Sequence, residues 1–263
     1  MDMNEKERPL ILITNDDGVF AKGINTLVEI ALLFGDVVVF APDVVRSGMS
    51  SAITAHGAVV YSKLFSEGGL TVYSCTGTPT DCVKLSYYAL FKDRKPDLLL
   101  SGINHGSNAS INVIYSGTMG AALEGCSNRI PSIGFSLCDH SWDADFSMSK
   151  TYVKSIIGLV LENSLPNEVC LNVNIPAGVI KGVKVCRQAL GYWREEFEPR
   201  QDKNGSTGYW LTGEFVNQEP DAVDTDDWAL ANGYVSIVPT TVDLSNKEYI
   251  HVIKDWELKI KTD

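Results

Sequence analysis

Hydrophobic and polar positions alternate along the chain in blocks that predict strands followed by helices. Residues 9–14, PLILIT, form a continuous apolar run, which is typical of a strand buried on both faces. In the next block, GINTLVEIALLFG (23–35), apolar side chains recur at helical spacing, and Gly35 is the expected C-cap. DVVVFAP (36–42) predicts a second buried strand. The first 42 residues therefore predict a βαβ unit.

The same alternation continues to about residue 180. We predict further strands at PDLLLSGIN (96–104), IPSIGFSL (130–137) and EVCLNVNIP (168–176). The helices expected between and around them are TPTDCVKLSYYALF (78–91), SGTMGAALEGCSN (116–128) and DADFSMSKTYVKSIIGLVLEN (143–163). Strands that alternate with helices predict an α/β fold with a Rossmann-like, doubly wound, mostly parallel sheet.

The pattern changes after residue 180. Segment 181–215 alternates on both sides of a DKNGSTG turn, which predicts a long two-stranded hairpin. A short helix and a strand are expected within 224–240, and the tail 245–261 is expected to be a last helix or a mixed element. We therefore divide the chain into a Rossmann-like core, 1–180, with the candidate catalytic groups, and a C-terminal hairpin and oligomerisation extension, 181–263. The hairpin carries four aromatic residues that would pack on another subunit or fold back on their own domain: Tyr192, Trp193, Tyr209 and Trp210.

Charge and composition narrow the classes of partner. The 263-residue chain carries a formal net charge of −11, which argues against sequence-independent binding to nucleic acid. No apolar run approaches the roughly 20 residues of a membrane span. The polar start, MDMNEKERPL, has no apolar signal region, so a cytoplasmic protein is expected. The six cysteines are irregularly spaced without a CxxC pair, which favours free thiols over disulfides or a zinc site.

Polar clusters follow three of the predicted strands, namely TNDDG (14–18), PDVVRSGMSS (42–51) and SGINHGSN (101–108). Ligands of open α/β sheets bind outside the carboxyl ends of the strands. The adjacent acids Asp16 and Asp17 repel each other, and a divalent cation between them would offset that repulsion. Carboxylate, hydroxyl and amide oxygens favour Mg²⁺, Mn²⁺ or Ca²⁺ over zinc. The alternative interpretation is three ordinary Asx, Ser/Gly and Asn/Gly turns.

Two further features are chemically suggestive. YSGTMGAALEG (115–125) places Ser116, Gly117 and Thr118 at a helix start, where free N–H groups and the helix dipole favour an anion, although an ordinary N-cap has the same residues. His105 is either a proton shuttle or only a surface group. The chain has no Walker GK[ST] loop and no Gly-x-Ser-x-Gly elbow.

These stretches together resemble the SurE survival-protein family. The matching motifs are ILITNDDGVFAKGINTL, APDVVRSGMSSAIT, TGTPTDCVKLSYYAL, PDLLLSGINHGSN, YSGTMGAALEG and GYVSIVPT, in the order of the family. The resemblance implies a phosphatase of nucleoside 5′- and 3′-monophosphates, with some activity on short polyphosphate. It also implies a homodimer or homotetramer joined by an exchanged hairpin and C-terminal segment. One divalent ion per subunit, Mg²⁺ or Mn²⁺, is expected at the positions Asp16, Asp17, Ser47 and Asn104.

The mechanism that follows uses the cation to polarise a phosphoryl oxygen and to position a water. Asp16 and Asp17 are the candidate catalytic residues, and Asp16 acting as base or nucleophile is an alternative. The expected phosphate contacts are Gly48, Asn108, Ser116, Gly117 and Thr118. Two rival functions are a regulatory protein that binds nucleotides without turnover and a dinucleotide oxidoreductase. The oxidoreductase would require GxGxxG after the first strand, where this chain has TNDDGVFAKG.

Overall fold

The computed structural model describes residues 8–256. The strands are β1 (Leu10–Thr14), β2 (Asp36–Pro42), β3 (Tyr61–Glu67), β4 (Leu70–Cys75), β5 (Leu98–His105), β6 (Ser132–Leu137), β7 (Val169–Ile175), β8 (Gly182–Val185), β9 (Gly191–Arg194), β10 (Phe197–Gln201), β11 (Thr207–Leu211), β12 (Glu214–Asn217) and β13 (Tyr234–Thr241). The helices are α1 (Lys22–Ala31), α2 (Pro79–Leu90), α3 (Gly117–Ser127), α4 (Ser149–Asn163), α5 (Asp226–Ala231) and α6 (Ile250–Lys254), with a 3₁₀ helix at Ser110–Ile114.

Nine strands form one sheet in the order β3-β4-β2-β1-β5-β6-β7-β13-β8. Six consecutive strands, from β4 to β7, are parallel, whereas β3 and β13 run antiparallel to their neighbours β4 and β7. The chain leaves β1 toward β2 on one side and later adds β5 on its other side. This reversal of strand order opens a crevice at the carboxyl end of β1. The predicted doubly wound α/β fold is confirmed.

Helices cover both faces of the sheet because the central strands are apolar on both sides. Ile11 and Ile13 of β1 belong to a core cluster with α1 and α4, whereas Leu12 belongs to a second cluster with α2 and α3. Burying a Leu or Ile side chain stabilises the fold by about 1.5–3 kcal/mol. The continuous apolar run of β1 is therefore what fixes it in the middle of three layers.

The predicted C-cap of the first helix is wrong. α1 ends at Ala31, four residues before Gly35. Gly35 instead lies against the backbone of Pro9, so closely that a Cβ at position 35 would overlap the Pro9 carbonyl oxygen. The glycine is thus required by close packing of the turn into β2 on the start of β1.

A hairpin that the sequence analysis did not predict forms one edge of the sheet. β3 pairs antiparallel with β4 around Gly68 and Gly69, both of which have positive φ. Every residue of β3 is exposed. Its side chains therefore lack the buried face whose alternation identifies a strand in sequence.

The C-terminal region divides into two parts. β8 and β13 are strands of the main sheet, whereas the predicted long hairpin is an arm with two ladders, β9 with β12 and β10 with β11. Between the ladders, Glu195 and Gly213 both have positive φ, so the arm changes direction there. The predicted tail includes α6, and its last residues, 257–261, lie outside the described residues.

None of the helices within residues 8–256 is long and apolar enough to cross a membrane. All six cysteines are free thiols, and five of them are buried.

Candidate metal and phosphate site

The candidate site lies in the crevice at the carboxyl end of β1. β1 pairs with β2 on one side and with β5 on the other, so the segments that follow these three strands meet there. Asp16 and Asp17 begin the turn after β1, and Gly18 completes it with a φ of +98°. Asn104 lies at the end of β5, where the pairing with β6 shifts register between Ser101 and Asn104.

Asp16 is buried against the start of α3. Its Oδ1 accepts a 2.6 Å hydrogen bond from the Thr118 hydroxyl. Burial is the main reason why the pKa of Asp16 is raised to about 6; the Thr118 hydrogen bond lowers it, and repulsion from Asp17 raises it further. Gly117 packs directly on this carboxylate, since a Cβ there would lie 2.9 Å from Asp16 Cβ and 3.0 Å from its Oδ2.

Asp17 faces the β5 side of the crevice. Its Oδ2 accepts a 3.2 Å hydrogen bond from the backbone N–H of His105. Burial raises the pKa of Asp17, and the His105 backbone N–H together with the charge interaction with His105 only partly offsets that rise. Neither acid is paired with a Lys or Arg side chain within residues 8–256. Within these described residues the two adjacent buried carboxylates therefore have no ion pair with a Lys or Arg, and only Asp17 has an attractive charge interaction, with His105.

The loop after β2, which carries Ser47 and Gly48, is tied to the acid turn and to the segment before α3. The backbone N–H of Arg46 donates to the Asp16 carbonyl oxygen over 2.7 Å, which fixes the residue before Ser47 beside the acids. The loop is tied again at Ser50, whose N–H and hydroxyl donate to the carbonyl oxygens of Tyr115 and Ile114 over 3.0 and 2.6 Å. Ser47 and Gly48 lie between these two ties and are exposed to solvent.

Asn104 is oriented by its own loop. Its Nδ2 donates to the Gly106 carbonyl oxygen over 2.8 Å, so the amide oxygen is the free end of the side chain in that bond. The next residue, His105, donates its backbone N–H to Asp17. Asn104 thus directly precedes the residue whose backbone N–H contacts the second acid.

The His105 side chain makes several contacts within the protein. Its Nδ1 lies 2.8 Å from the Ser141 carbonyl oxygen, and its ring lies between Trp142 and Phe146 at centroid distances of 5.6 and 5.0 Å. The alternative of a plain surface group therefore does not describe it. The ring anchors the loop that carries Asn104.

Asn108 is buried, and its side chain is already used within the fold. Its Nδ2 donates to Ser136 Oγ over 2.8 Å, while its backbone N–H donates to Asn174 Oδ1 over 2.8 Å. Asn172 Nδ2 donates in turn to the Asn108 carbonyl oxygen over 2.8 Å. Sequence reasoning missed Asn172 and Asn174, although two amides in the otherwise apolar strand CLNVNI are a signal of a buried polar network.

We expect Asn174→Ala to destabilise the protein by roughly 1–3 kcal/mol, because the Asn108 N–H would be left buried without an acceptor. Chemical denaturation followed by circular dichroism measures the change. Asn163→Ala, at the exposed end of α4, is the matched control and should change stability by less than about 0.5 kcal/mol. Equal effects of the two substitutions would contradict the role of the buried amides.

The start of α3 supplies the groups for an anion. Ser116 is the N-cap, and its Oγ accepts the Met119 N–H over 3.0 Å. Gly117 and Thr118 are the first two residues of the 11-residue helix. Backbone N–H groups in the first turn have no partner within the helix and, with the helix dipole, favour a phosphate. Gly117 is also the residue packed on Asp16, so the anion site and the acid pair adjoin.

The donor set of this crevice suits a hard divalent cation. Two carboxylates, a serine hydroxyl and an amide oxygen are oxygen donors of the kind that Mg²⁺ and Mn²⁺ prefer. Within residues 8–256 no group of three or more His, Cys, Asp or Glu side chains has metal-site geometry. A metal here would therefore depend on the two acids together with the neutral oxygens of Ser47 and Asn104. The raised pKa values fit such an ion, because it would supply positive charge that no Lys or Arg side chain within residues 8–256 supplies to these acids.

The pKa of Asp16 makes a stability prediction for the metal-free protein. Because the folded-state pKa is raised from 3.8 to about 6, stability falls as the pH rises through that window. We therefore expect Asp16→Asn to stabilise the metal-free protein by up to roughly 3 kcal/mol at pH 8 and to change little near pH 4. Asparagine keeps an oxygen for the Thr118 hydroxyl.

Urea unfolding in EDTA at both pH values measures the effect of Asp16→Asn. Asp221→Asn, at an exposed position, serves as the control and should leave stability unchanged at either pH. A variant no more stable than the wild type at pH 8 would contradict the raised pKa of the buried Asp16 carboxyl.

Comparisons with known proteins agree on one family. A sequence model of the family described as "Survival protein SurE" matches residues 11–195. A protein of Bacteroides fragilis named "5′-nucleotidase SurE" is 51% identical over 255 residues, which cover 97% of this chain and 100% of that protein. A Flavobacterium psychrophilum protein of the same name is 50% identical, with 95% and 98% covered. The crystal structure of the SurE protein from Aquifex aeolicus superposes with a TM-score of 0.81 at 38% identity, covering 95% of this chain and 100% of that one.

Proposed function

The chain belongs to the SurE family, and from this premise we propose that it is a metal-dependent phosphatase that hydrolyses nucleoside 5′-monophosphates to nucleoside and phosphate. The observation that carries the proposal is the contact between Gly117 and Asp16. It joins a helix start suited to a phosphate directly to an acid pair suited to a divalent cation. Curated relatives with about half of their residues identical are named 5′-nucleotidases.

In this proposal Asp16, Asp17, Ser47 and Asn104 hold the ion. When bound, a divalent cation supplies charge that polarises a phosphoryl oxygen and lowers the pKa of a water. The Thr118 hydroxyl fixes the Asp16 carboxylate, and the His105 N–H fixes that of Asp17. Groups held in this way require no reorganisation during reaction, which is where much of the rate enhancement of enzymes originates.

The phosphate would be oriented by backbone N–H groups at the start of α3 and near Gly48. Ser116 contributes by capping the helix, since its hydroxyl already accepts the Met119 N–H. Asn108 contributes by holding its loop against β6 and β7 through Ser136 and Asn174. In this proposal the backbone N–H groups touch the phosphate, whereas the side chains of Ser116 and Asn108 position the segments that carry those groups.

We further propose activity toward 3′-monophosphates and short polyphosphate, and a cytoplasmic homodimer or homotetramer joined through the hairpin arm. Large apolar side chains on the outer ladder support the assembly, because Phe197 and Tyr209 are each more than 60% exposed. Light scattering tests the assembly, and a monomer at working concentration would contradict it.

Phosphate release from a panel of nucleoside monophosphates, with Mg²⁺ or Mn²⁺ and with EDTA, tests the activity. We expect turnover with the metal and its loss in EDTA. Tight nucleotide binding without release of phosphate would favour the regulatory alternative. A protein that neither binds the nucleotides nor releases phosphate from them would contradict the proposed function altogether.

A further inference from the structure

A cleft beside the proposed phosphate site has the size and chemistry of a nucleoside pocket. It has a volume of about 680 Å³ and lies between the end of the 3₁₀ helix and the hairpin arm. Its walls include Tyr115, Trp193, His140 and Glu196. Clefts of about 300–1,000 Å³ with aromatic walls and a few polar groups are typical of small-molecule sites.

The cleft is continuous with the proposed catalytic groups through two of its walls. Tyr115 directly precedes Ser116, the N-cap of α3, and its carbonyl oxygen accepts the N–H of Ser50 from the loop that carries Ser47. His140 packs on Gly106 so closely that a Cβ at position 106 would overlap its ring. Gly106 is also the residue whose carbonyl oxygen orients Asn104. A molecule in the cleft therefore adjoins both the phosphate and the metal sides of the site.

Two aromatic side chains in the cleft are placed for stacking. Trp193 is half-buried, its Nε1 donates to Asn112 Oδ1 over 2.8 Å, and its ring meets Phe215 edge-on at 5.9 Å. Tyr115 is 51% exposed. Aromatic side chains held in this way stack on nucleobases, because every base has a π-face. Glu196 and His140 add hydrogen-bonding groups at the edge of the cleft.

A second cavity at the site fits a base less well. It has a volume of about 350 Å³, and two carboxylates, Asp17 and Asp43, line it. Asp17 is one of the two acids assigned to the cation, so this cavity is expected to hold the metal and phosphate end of the substrate rather than its base. Trp142 also lines this cavity, so it provides a direct comparison for an experiment.

We propose that the cleft at Tyr115 and Trp193 binds the nucleobase of the substrate, with the base stacked on these two side chains. The proposal rests on the proposed phosphatase function and specifies where the nucleoside lies in that reaction. It makes Tyr115 and Trp193 residues of substrate specificity.

The test compares a substrate that has a base with one that lacks it, adenosine 5′-monophosphate and ribose 5-phosphate. Tyr115→Ala and Trp193→Leu should each lower kcat/KM for the nucleotide by about 10- to 100-fold. For ribose 5-phosphate both variants should remain within about twofold of wild type. Trp193→Phe keeps a stacking ring and should recover most of the loss.

The matched control is Tyr192→Ala, because Tyr192 lies next to Trp193 in β9 on the opposite face of the ladder and is 48% exposed. Tyr192→Ala should leave kcat/KM unchanged for both substrates. Equal losses on both substrates, or no loss on either, would overturn the proposal. A selective loss in Trp142→Leu instead would assign the base to the Asp17 cavity.

If the protein is not a phosphatase, a binding experiment still tests the cleft. If the wild type releases phosphate from neither substrate, the cleft is tested by equilibrium dialysis with adenosine. Weaker binding by Tyr115→Ala than by Tyr192→Ala supports the cleft, and equal binding overturns it.

Discussion

Replacing Asp17 with asparagine should lower metal-dependent phosphate release from adenosine 5′-monophosphate by roughly 10²–10³-fold or more. The substitution removes the negative charge but keeps an oxygen that accepts the His105 N–H, so the loop at the end of β5 should stay in place. What is lost is one of the only two carboxylates assigned to the ion. Initial rates at several Mg²⁺ or Mn²⁺ concentrations measure the effect, and the metal requirement should move to higher concentrations.

The control for Asp17→Asn is Asp36→Asn. Asp36 is the first residue of β2, so it lies at the end of the strands opposite the site. It forms a surface ion pair with Arg8 at 3.2 Å. Removing an exposed pair of this kind should change stability by less than about 1 kcal/mol and leave turnover unchanged. If Asp17→Asn retained full activity with either metal, the assignment of the acid pair to a cation would be wrong.

Gly117→Ala should lower turnover by about 100-fold with both acids intact. The added Cβ would lie 2.9 Å from Asp16 Cβ and 3.0 Å from its Oδ2, so the carboxylate or the start of α3 must move. Either movement separates the phosphate groups from the metal ligands. The effect should appear mainly in kcat, because a displacement of about 1 Å misaligns the reacting groups even when the substrate still binds.

Gly158→Ala is the matched control for Gly117→Ala. Both glycines lie in helices, but a Cβ at position 158 would make only an ordinary 3.5 Å contact with Phe34. Alanine favours a helix interior over glycine, so the control should stabilise α4 by up to about 1 kcal/mol and leave turnover unchanged. Full activity of Gly117→Ala would show that contact with Asp16 is not needed for catalysis.

The buried strands could be predicted because their apolar runs leave few other interpretations. β1, β2, β6 and β7 lie within segments expected to be strands, and β5 extends one residue beyond its predicted segment. The edge hairpin β3–β4 could not be predicted in the same way, because β3 has no buried face. The Gly68–Gly69 pair was the available signal, since consecutive glycines favour the turns of hairpins.

Local turns explain why two predicted helix ends were wrong. α4 begins at Ser149, six residues after the predicted start, because Asp145 accepts the Ser147 N–H and the chain turns before the helix. Gly35 was expected as a cap but serves close packing on Pro9. Both outcomes depend on local side-chain bonding or on a neighbouring strand, which hydrophobic spacing does not encode.

Motifs identified the segments of the candidate site but not how its residues support one another. The adjacent acids and the Ser116–Thr118 start of α3 could be found from their residue types and spacing. The hydrogen bond from the Thr118 hydroxyl to Asp16 and the bonds between Asn108 and the amides of Asn172 and Asn174 join residues 64 to 102 positions apart, so only the folded chain brings them together. Supporting contacts of this kind have no fixed sequence spacing.

Manganese-soaked crystals would test the central claim most directly, through an anomalous difference map. We expect one Mn²⁺ peak per subunit in the crevice at the end of β1, within coordination distance of carboxylate oxygens from Asp16 and Asp17. A well-occupied manganese site elsewhere, or a map with no ion touching either acid, would contradict it.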